Sequence, residues 1–319
     1  MKRRTLLAAA ATPLVFRARA ATATIGWITV ESATAVADFL AAFKAGLASE
    51  FARSAESPQV LDRYAENSPA GVAAVVKQLQ GQGVSLIVTH GLAGPLAIQA
   101  KPAVPIVFAY SGDPVQAGMV ESLARPGGNA TGMTFLSIEL SPKRIGFARE
   151  IVPGCRKVVL LSNLLHFGED REIAACQEAV KALGIDMSVR RVQTRDEAVV
   201  AAGDALEKGA QAVVTLPSGA MLQHVPALVT ACSERRVPLI GGWASFARRG
   251  AVLSYGPDLQ VCFGRVAWYA ARVLGGAAPS TLPIEQPSSF ELVINKKAAD
   301  GLGLTLPVTL LAQANEVIE

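Results

Sequence analysis

Ser111, Gly112 and Asp113, followed at once by Pro114, form the sharpest group of residues that could do chemistry in this chain. Gly112 would let the backbone approach a ligand closely. Pro114 suits the first turn of a helix, whose free N–H groups could hold a carboxylate. Asp113 could accept a charge-assisted bond from an ammonium, or it could simply cap that helix. A second group is Thr89, His90, Gly91 and Leu92, at the end of an apolar run. There His90 is either a ligand contact or a structural polar group, and Gly91 offers its backbone. Trp27, Tyr110, Trp243 and Tyr255 add aromatic surface for stacking on a planar ligand. Trp27 lies within an apolar run and is expected in the core, whereas Trp243, straight after Gly241 and Gly242, is expected to face a cleft.

These residues suit binding better than turnover. The chain has no G-x-S-x-G, H-E-x-x-H or G-x-x-x-x-G-K-[ST] pattern. Its three histidines, His90, His166 and His224, lie in separate segments. Cys155, Cys176, Cys232 and Cys262 form no C-x-x-C pair, which argues against a zinc or thioredoxin-type site. With apolar neighbours around most of them, free buried thiols are the expected state. We therefore expect no enzyme activity, no catalytic residues, no metal and no cofactor.

The first residues differ from the rest. Lys2, Arg3 and Arg4 precede a short apolar run over 6–16. Ala18-Arg19-Ala20 and Ala21-Thr22-Ala23 offer two small-x-small cleavage sites. This is the pattern of a signal peptide over 1–20, cut near Ala20 or Ala23, and it predicts export to the periplasm. The Arg3-Arg4 pair leaves both the general and the twin-arginine routes open. Residues 1–20 hold five of the 30 Lys and Arg and none of the 26 Asp and Glu, so the rest carries 25 basic against 26 acidic residues. No basic stripe remains to favour nucleic acid.

The elements that must position these residues alternate. Apolar runs at 24–29, 60–64, 84–89 and 104–109 read as strands, separated by helical patterns at 33–51, 69–81 and 92–99, and 129–135 closes this half. The rhythm restarts with strands at 157–162, 185–192, 210–216, 238–241 and 252–255, and helices at 170–183, 195–208 and 220–235. A long helix over 258–274 and a strand over 290–295 follow, then short helical segments. Such alternation predicts an α/β protein with two doubly wound parallel-sheet lobes divided near residue 135. A ligand would sit beyond the carboxyl ends of the strands. The loops there supply Thr29, Glu31, Ser32, His90, Gly91, Leu92, Tyr110, Ser111, Gly112 and Asp113 from the first lobe. From the second they supply Asn163 and its loop to His166, Pro217, Ser218, Trp243 and Tyr255.

Two long stretches carry a resemblance. One is Pro105-Ile106-Val107-Phe108-Ala109, Gly112-Asp113-Pro114-Val115 and Leu123-Ala124-Arg125-Pro126-Gly127-Gly128-Asn129-Ala130-Thr131-Gly132. The other is Leu253-Ser254-Tyr255-Gly256-Pro257 with 282–295, from Leu282-Pro283-Ile284-Glu285 to Val293-Ile294-Asn295. Together they resemble the substrate-binding proteins of ABC transporters that include the tryptophan and tyrosine importers, from about Thr24 to Glu319. The resemblance implies a type I periplasmic-binding fold with a three-crossing hinge. Lobe one would be 24–135 plus 256–276, and lobe two 136–255 plus 277–319. It also implies a monomeric protein with two partners, a small organic ligand such as an amino acid or aromatic compound, and an ABC permease. A sensor presenting its solute to a membrane receptor would share the fold. The chain departs from the family where an Asn-Pro pair follows the first strand of lobe two. Here Asn163-Leu164-Leu165-His166-Phe167 stands, which allows a less polar ligand than a free amino acid. The run 123–132 is expected to have structural duty.

Overall fold

The computed structural model describes residues 23–54, 56–65 and 68–319; the leader expected over 1–20 lies outside them. In the first half the order is β1 (Thr24–Thr29), α1 (Ala37–Glu50), β2 (Gln59–Tyr64), α2 (Gly71–Gly81), β3 (Leu86–His90), α3 (Ala93–Gln99), β4 (Ile106–Tyr110) and β5 (Ala130–Thr134). These five strands form one parallel sheet in the order β2-β1-β3-β4-β5. β3, β4 and β5 are buried along their whole length, as parallel strands covered on both faces must be.

The second half has α4 (Ser137–Ile151), β6 (Lys157–Asn163), α5 (Glu169–Leu183), β7 (Asp186–Val192), α6 (Arg195–Glu207), β8 (Ala212–Thr215), α7 (Gly219–Glu234), β9 (Leu239–Gly241), α8 (Ala244–Arg248) and β10 (Leu253–Pro257). α9 (Leu259–Leu274), β11 (Phe290–Asn295), α10 (Lys296–Gly301), α11 (Val308–Leu311) and β12 (Glu316–Ile318) complete it. The second sheet has the order β12-β11-β10-β9-β8-β6-β7. It is parallel from β7 to β10; β11 then runs antiparallel to β10, with β12 parallel to β11.

The chain crosses between the sheets three times. β5 leads through Phe135 and Leu136 into α4, and β10 leads into α9, which packs on α1 of the first sheet. Asp258 caps α9 by accepting from the N–H groups of Gln260 and Val261. At Gly46 the two helices meet so closely that a β-carbon would fall 2.9 Å from Gly264 Cα. The chain then runs along β5, where Glu285 N–H donates to Gly132 O and Thr134 N–H to Glu285 O, before β11 returns to the second sheet.

Four expectations need correction. No helix follows Pro114. Ala117 N–H closes a single turn onto Asp113 O, and Gly118 ends it at φ +67°. α4 is a helix that the sequence reading does not contain, because Pro142 within it reads as a stop. Pro142 is the sixth residue of the helix and removes one bond of the ladder. α8, with five residues, is too short to show a period. The C-terminal segment adds strand β12 to its short helices.

Candidate functional site: an interlobe cleft

Strand register aligns the site. Thr29 pairs with Tyr64, Ile28 with Thr89, His90 with Ala109 and Tyr110 with Thr134, so these strands end along one edge of the first sheet. Asn163 pairs with Val192, Leu161 with Thr215 and Val214 with Ile240, which builds the matching edge of the second. Between the edges lies a cavity of about 520 Å³. Lobe one lines it with Val30, Glu31, Gly91, Leu92 and Ser111. Lobe two contributes Asn163, Leu165, His166, Gln193 to Asp196, Ser218 to Ala220, Gln223, His224 and Trp243.

Of the residues expected from sequence, Glu31, Gly91, Leu92, Ser111, Asn163, Ser218 and Trp243 meet at this cavity. The others sit behind or beside it. Thr29 is buried and its hydroxyl donates to Glu31. His90 is buried, with Nδ1 3.7 Å from Glu31 Oε2. The Ser32 hydroxyl lies 3.3 Å from that of Thr34. Pro217 packs under Gly242. Tyr255 faces away, edge-on to Phe147 at 5.4 Å, and its carbonyl accepts from Arg144 Nε. Trp27 lies in the core against Phe43 and Phe263. The loop from Asn163 to His166 was expected here, and Leu165 and His166 do line the cavity, whereas Gln193, Thr194, Arg195, Asp196, Gln223 and His224 were not singled out as contacts. The β7–α6 turn was findable: Thr194-x-x-Glu197 is a capping-box signature, and both of its bonds form.

Tyr110, Gly112 and Asp113 act at a contact between the lobes. The Tyr110 hydroxyl donates to Phe167 O, and a β-carbon at Gly112 would fall 2.9 Å from the same oxygen. Asp113 Oδ1 accepts from the N–H groups of Val115 and Gln116, and its Oδ2 meets Arg171 Nη1 at 2.7 Å. Arg249, in lobe two, donates to Ala35 O at 3.0 Å, and Trp243 meets Phe39 edge-on at 5.7 Å. The lobes are therefore closed on each other. The Arg171–Asp113 pair is largely solvated and contributes little. Burial, with the charges of Glu172 and Asp113, pushes the Tyr110 phenol up, so it stays a donor at neutral pH. Tyr110→Phe should leave Phe167 O unsatisfied and destabilise the closed form by about 1 kcal/mol. Small-angle scattering should show a larger fraction of the open form than in the parent protein.

Two carboxylates set the electrostatics. Burial would raise Glu31, but His90, the Thr29 hydroxyl and its own backbone outweigh this and hold it below the usual carboxylate range. It reaches across the cleft: a β-carbon at Gly219 would fall 2.2 Å from Glu31 Oε1, so only glycine there lets the carboxylate lie against the start of α7. That is a favourable place for negative charge. On the other wall, His166 Nε2 meets Glu172 Oε1 at 2.7 Å, with Glu172 fully buried. Burial alone would lower His166, but the charges and hydrogen bond of Glu172, with Glu169, raise it. Burial and Arg195 push His224 down. All four cysteines are free and buried. Among the described residues no group of three or more His, Cys, Asp or Glu could hold a metal, and no helix is long and apolar enough to cross a membrane.

Two largely parallel sheets facing each other across a lined cleft define a two-lobed binding protein of the type I periplasmic fold. The chain belongs to the ABC transporter substrate binding protein family, which it matches over residues 8–318. It is 23% identical over 210 residues to a tyrosine-binding protein of Clostridioides difficile, covering 65% of this chain and 59% of that relative's length. In fold it is similar to an ABC domain from Streptococcus pneumoniae in complex with L-Trp, with TM-score 0.84 and 22% identity over 93% of this chain and 100% of the other. A conserved domain protein from Vibrio cholerae superposes with TM-score 0.84 at 24% identity, over 93% and 99% of the two chains. A ligand-free, open substrate-binding protein from Clostridium difficile gives 0.65 at 17% identity, over 93% and 99%.

Proposed function

We propose that this chain captures a small organic solute, an amino acid or aromatic compound, and delivers it to an ABC permease. The observation that carries this is the cleft of about 520 Å³, walled by strand ends of both sheets and bridged by closed-form contacts. A ligand touching both walls would favour the closed state by its differential affinity. Glu31, Gly91, Leu92, Ser111, Asn163, Ser218 and Trp243 are the proposed contacts. Trp243 brings aromatic surface, and the rest bring polar groups and backbone, with Leu92 as apolar wall. Family membership and the tryptophan and tyrosine named for its relatives favour an aromatic amino acid.

The rest of the proposal follows from this role. The protein works outside the cytoplasm after losing residues 1–20, as a monomer and without turnover. Its lobes are 24–135 with 256–276 and 136–255 with 277–319. Calorimetry with L-tryptophan, L-tyrosine, aromatic acids and nucleobases should give a Kd of about 1 µM or tighter for one class, roughly −8 kcal/mol. No heat from any of them would refute the proposal.

A further inference from the structure

We propose that His166 receives a carboxylate of the captured solute through Nδ1, and that Glu172 behind it keeps that nitrogen supplied with a proton. The inference rests on the solute-binding reading and adds the residue that selects an anionic group. His166 lines the cleft while its Nε2 is committed inward to Glu172 Oε1 at 2.7 Å. The carboxylate accepts, so Nε2 carries hydrogen in either charge state. Among the described residues the side-chain hydrogen bond of His166 is the one at Nε2, and Nδ1 is left for a ligand. It is a donor when the ring is cationic and an acceptor when the ring is neutral. A charged donor walled in at a cleft favours an anionic acceptor there.

The other positive features of the cleft are engaged, held low or out in solvent. The start of α7 has the Glu31 carboxylate against Gly219. Arg195 is exposed and turned to Asp196 at 3.1 Å. His224 is held low by burial and Arg195. That leaves His166, which lines the cleft from the loop after β6.

Glu172 and Glu169 of α5 set the charge of the ring, and other polar groups stand around this pair. α5 presents Glu172 and Glu169, with Arg171 beyond them; α4 presents Arg144; β4 presents Tyr110, whose ring centroid is 5.9 Å away; and the next loop presents Asp113. Arg195, Asp196 and His224 stand on the same cleft. The net effect raises the imidazole above its ordinary 6.5. The sign follows: the cationic donor is present below the raised value, and the contact is lost as pH rises through it.

The test is calorimetry on the mature protein from about pH 5.5 to 9, with L-tyrosine and L-tryptophan against tyramine and tryptamine, which lack the carboxylate. The two amino acids should bind best at the acid end and weaken about tenfold or more toward pH 9. His166→Gln should bind them weakly with little pH dependence, and the amines should be indifferent to it. Glu172→Gln should move the pH midpoint to lower pH, and the imidazole 15N shifts of His166 should follow. This second variant reads the proposal even if His166→Gln folds poorly. Amines binding as tightly as amino acids, or a flat profile in the parent protein, overturns the inference and leaves solute capture standing. No heat from any of the four probes at any pH overturns the inference, and solute capture falls with it only if the aromatic acids and nucleobases also give none.

Discussion

Gly132→Ala is expected to destabilise the protein by about 3 kcal/mol or more, because two independent constraints meet at this residue. Its φ is +149°, where side chains are rarely tolerated, and a β-carbon would fall 2.0 Å from Phe108 O, the carbonyl of its own strand partner. Backbone must move, and that backbone is the β4–β5 pairing. The same residue's carbonyl accepts from Glu285 N–H, so the third crossing would move with it. Gly128 is the control four residues earlier. A β-carbon there meets open space, so Gly128→Ala should shift stability by less than about 1 kcal/mol. Urea unfolding of the two variants would measure the contrast, and equal midpoints would refute the account.

This prediction explains the long motif over 123–132, for which structural duty was expected. Asn129 Nδ2 donates to Val104 O at 2.9 Å, tying the motif to the start of β4. Thr131 Oγ1 donates to Leu282 O at 2.8 Å, tying it to the returning crossing. The strands were legible because doubly covered parallel strands must be apolar along their length, and Leu86 to Val88 and Val158 to Leu161 are. α4 was not legible, since Pro142 breaks the pattern that its buried Leu140, Ile145 and Ala148 would otherwise show. The strand-end rule found the cleft but not which side chains enter it. Tyr110 and Asn163 both end strands, yet Tyr110 is spent on Phe167 O and Asn163 lines the cavity. Tyr255 fails for another reason. Alternation along β10 turns it toward α4, where Phe147 waits, and no local pattern names the face on which a helix will pack.

Arg144→Ala should be the other severe substitution, at about 3–5 kcal/mol. Arg144 is fully buried, donating through Nε to Tyr255 O and through Nη1 to Ser141 Oγ, both at 2.8 Å. Burial lowers its guanidinium to about 10, opposed by Glu172, Cys176 and Tyr255, so it remains a cation at neutral pH. Removing it would empty a large site and leave Glu172 buried with His166 as its nearest compensating charge. It would also free the carbonyl of Tyr255 two residues before β10 ends and the chain crosses to α9. The lost free energy should therefore come from charge and from the hinge together. Arg144→Met with Glu172→Gln separates the two. It keeps most of the volume and removes both charges, and so should recover a large part of the loss in urea unfolding. Failure of the pair to recover any stability would mean that the Tyr255 and Ser141 bonds, and not the buried charge on Glu172, dominate. In that case both variants should still bind solute more weakly than the parent, since the joint between β10 and α9 would be loosened in each.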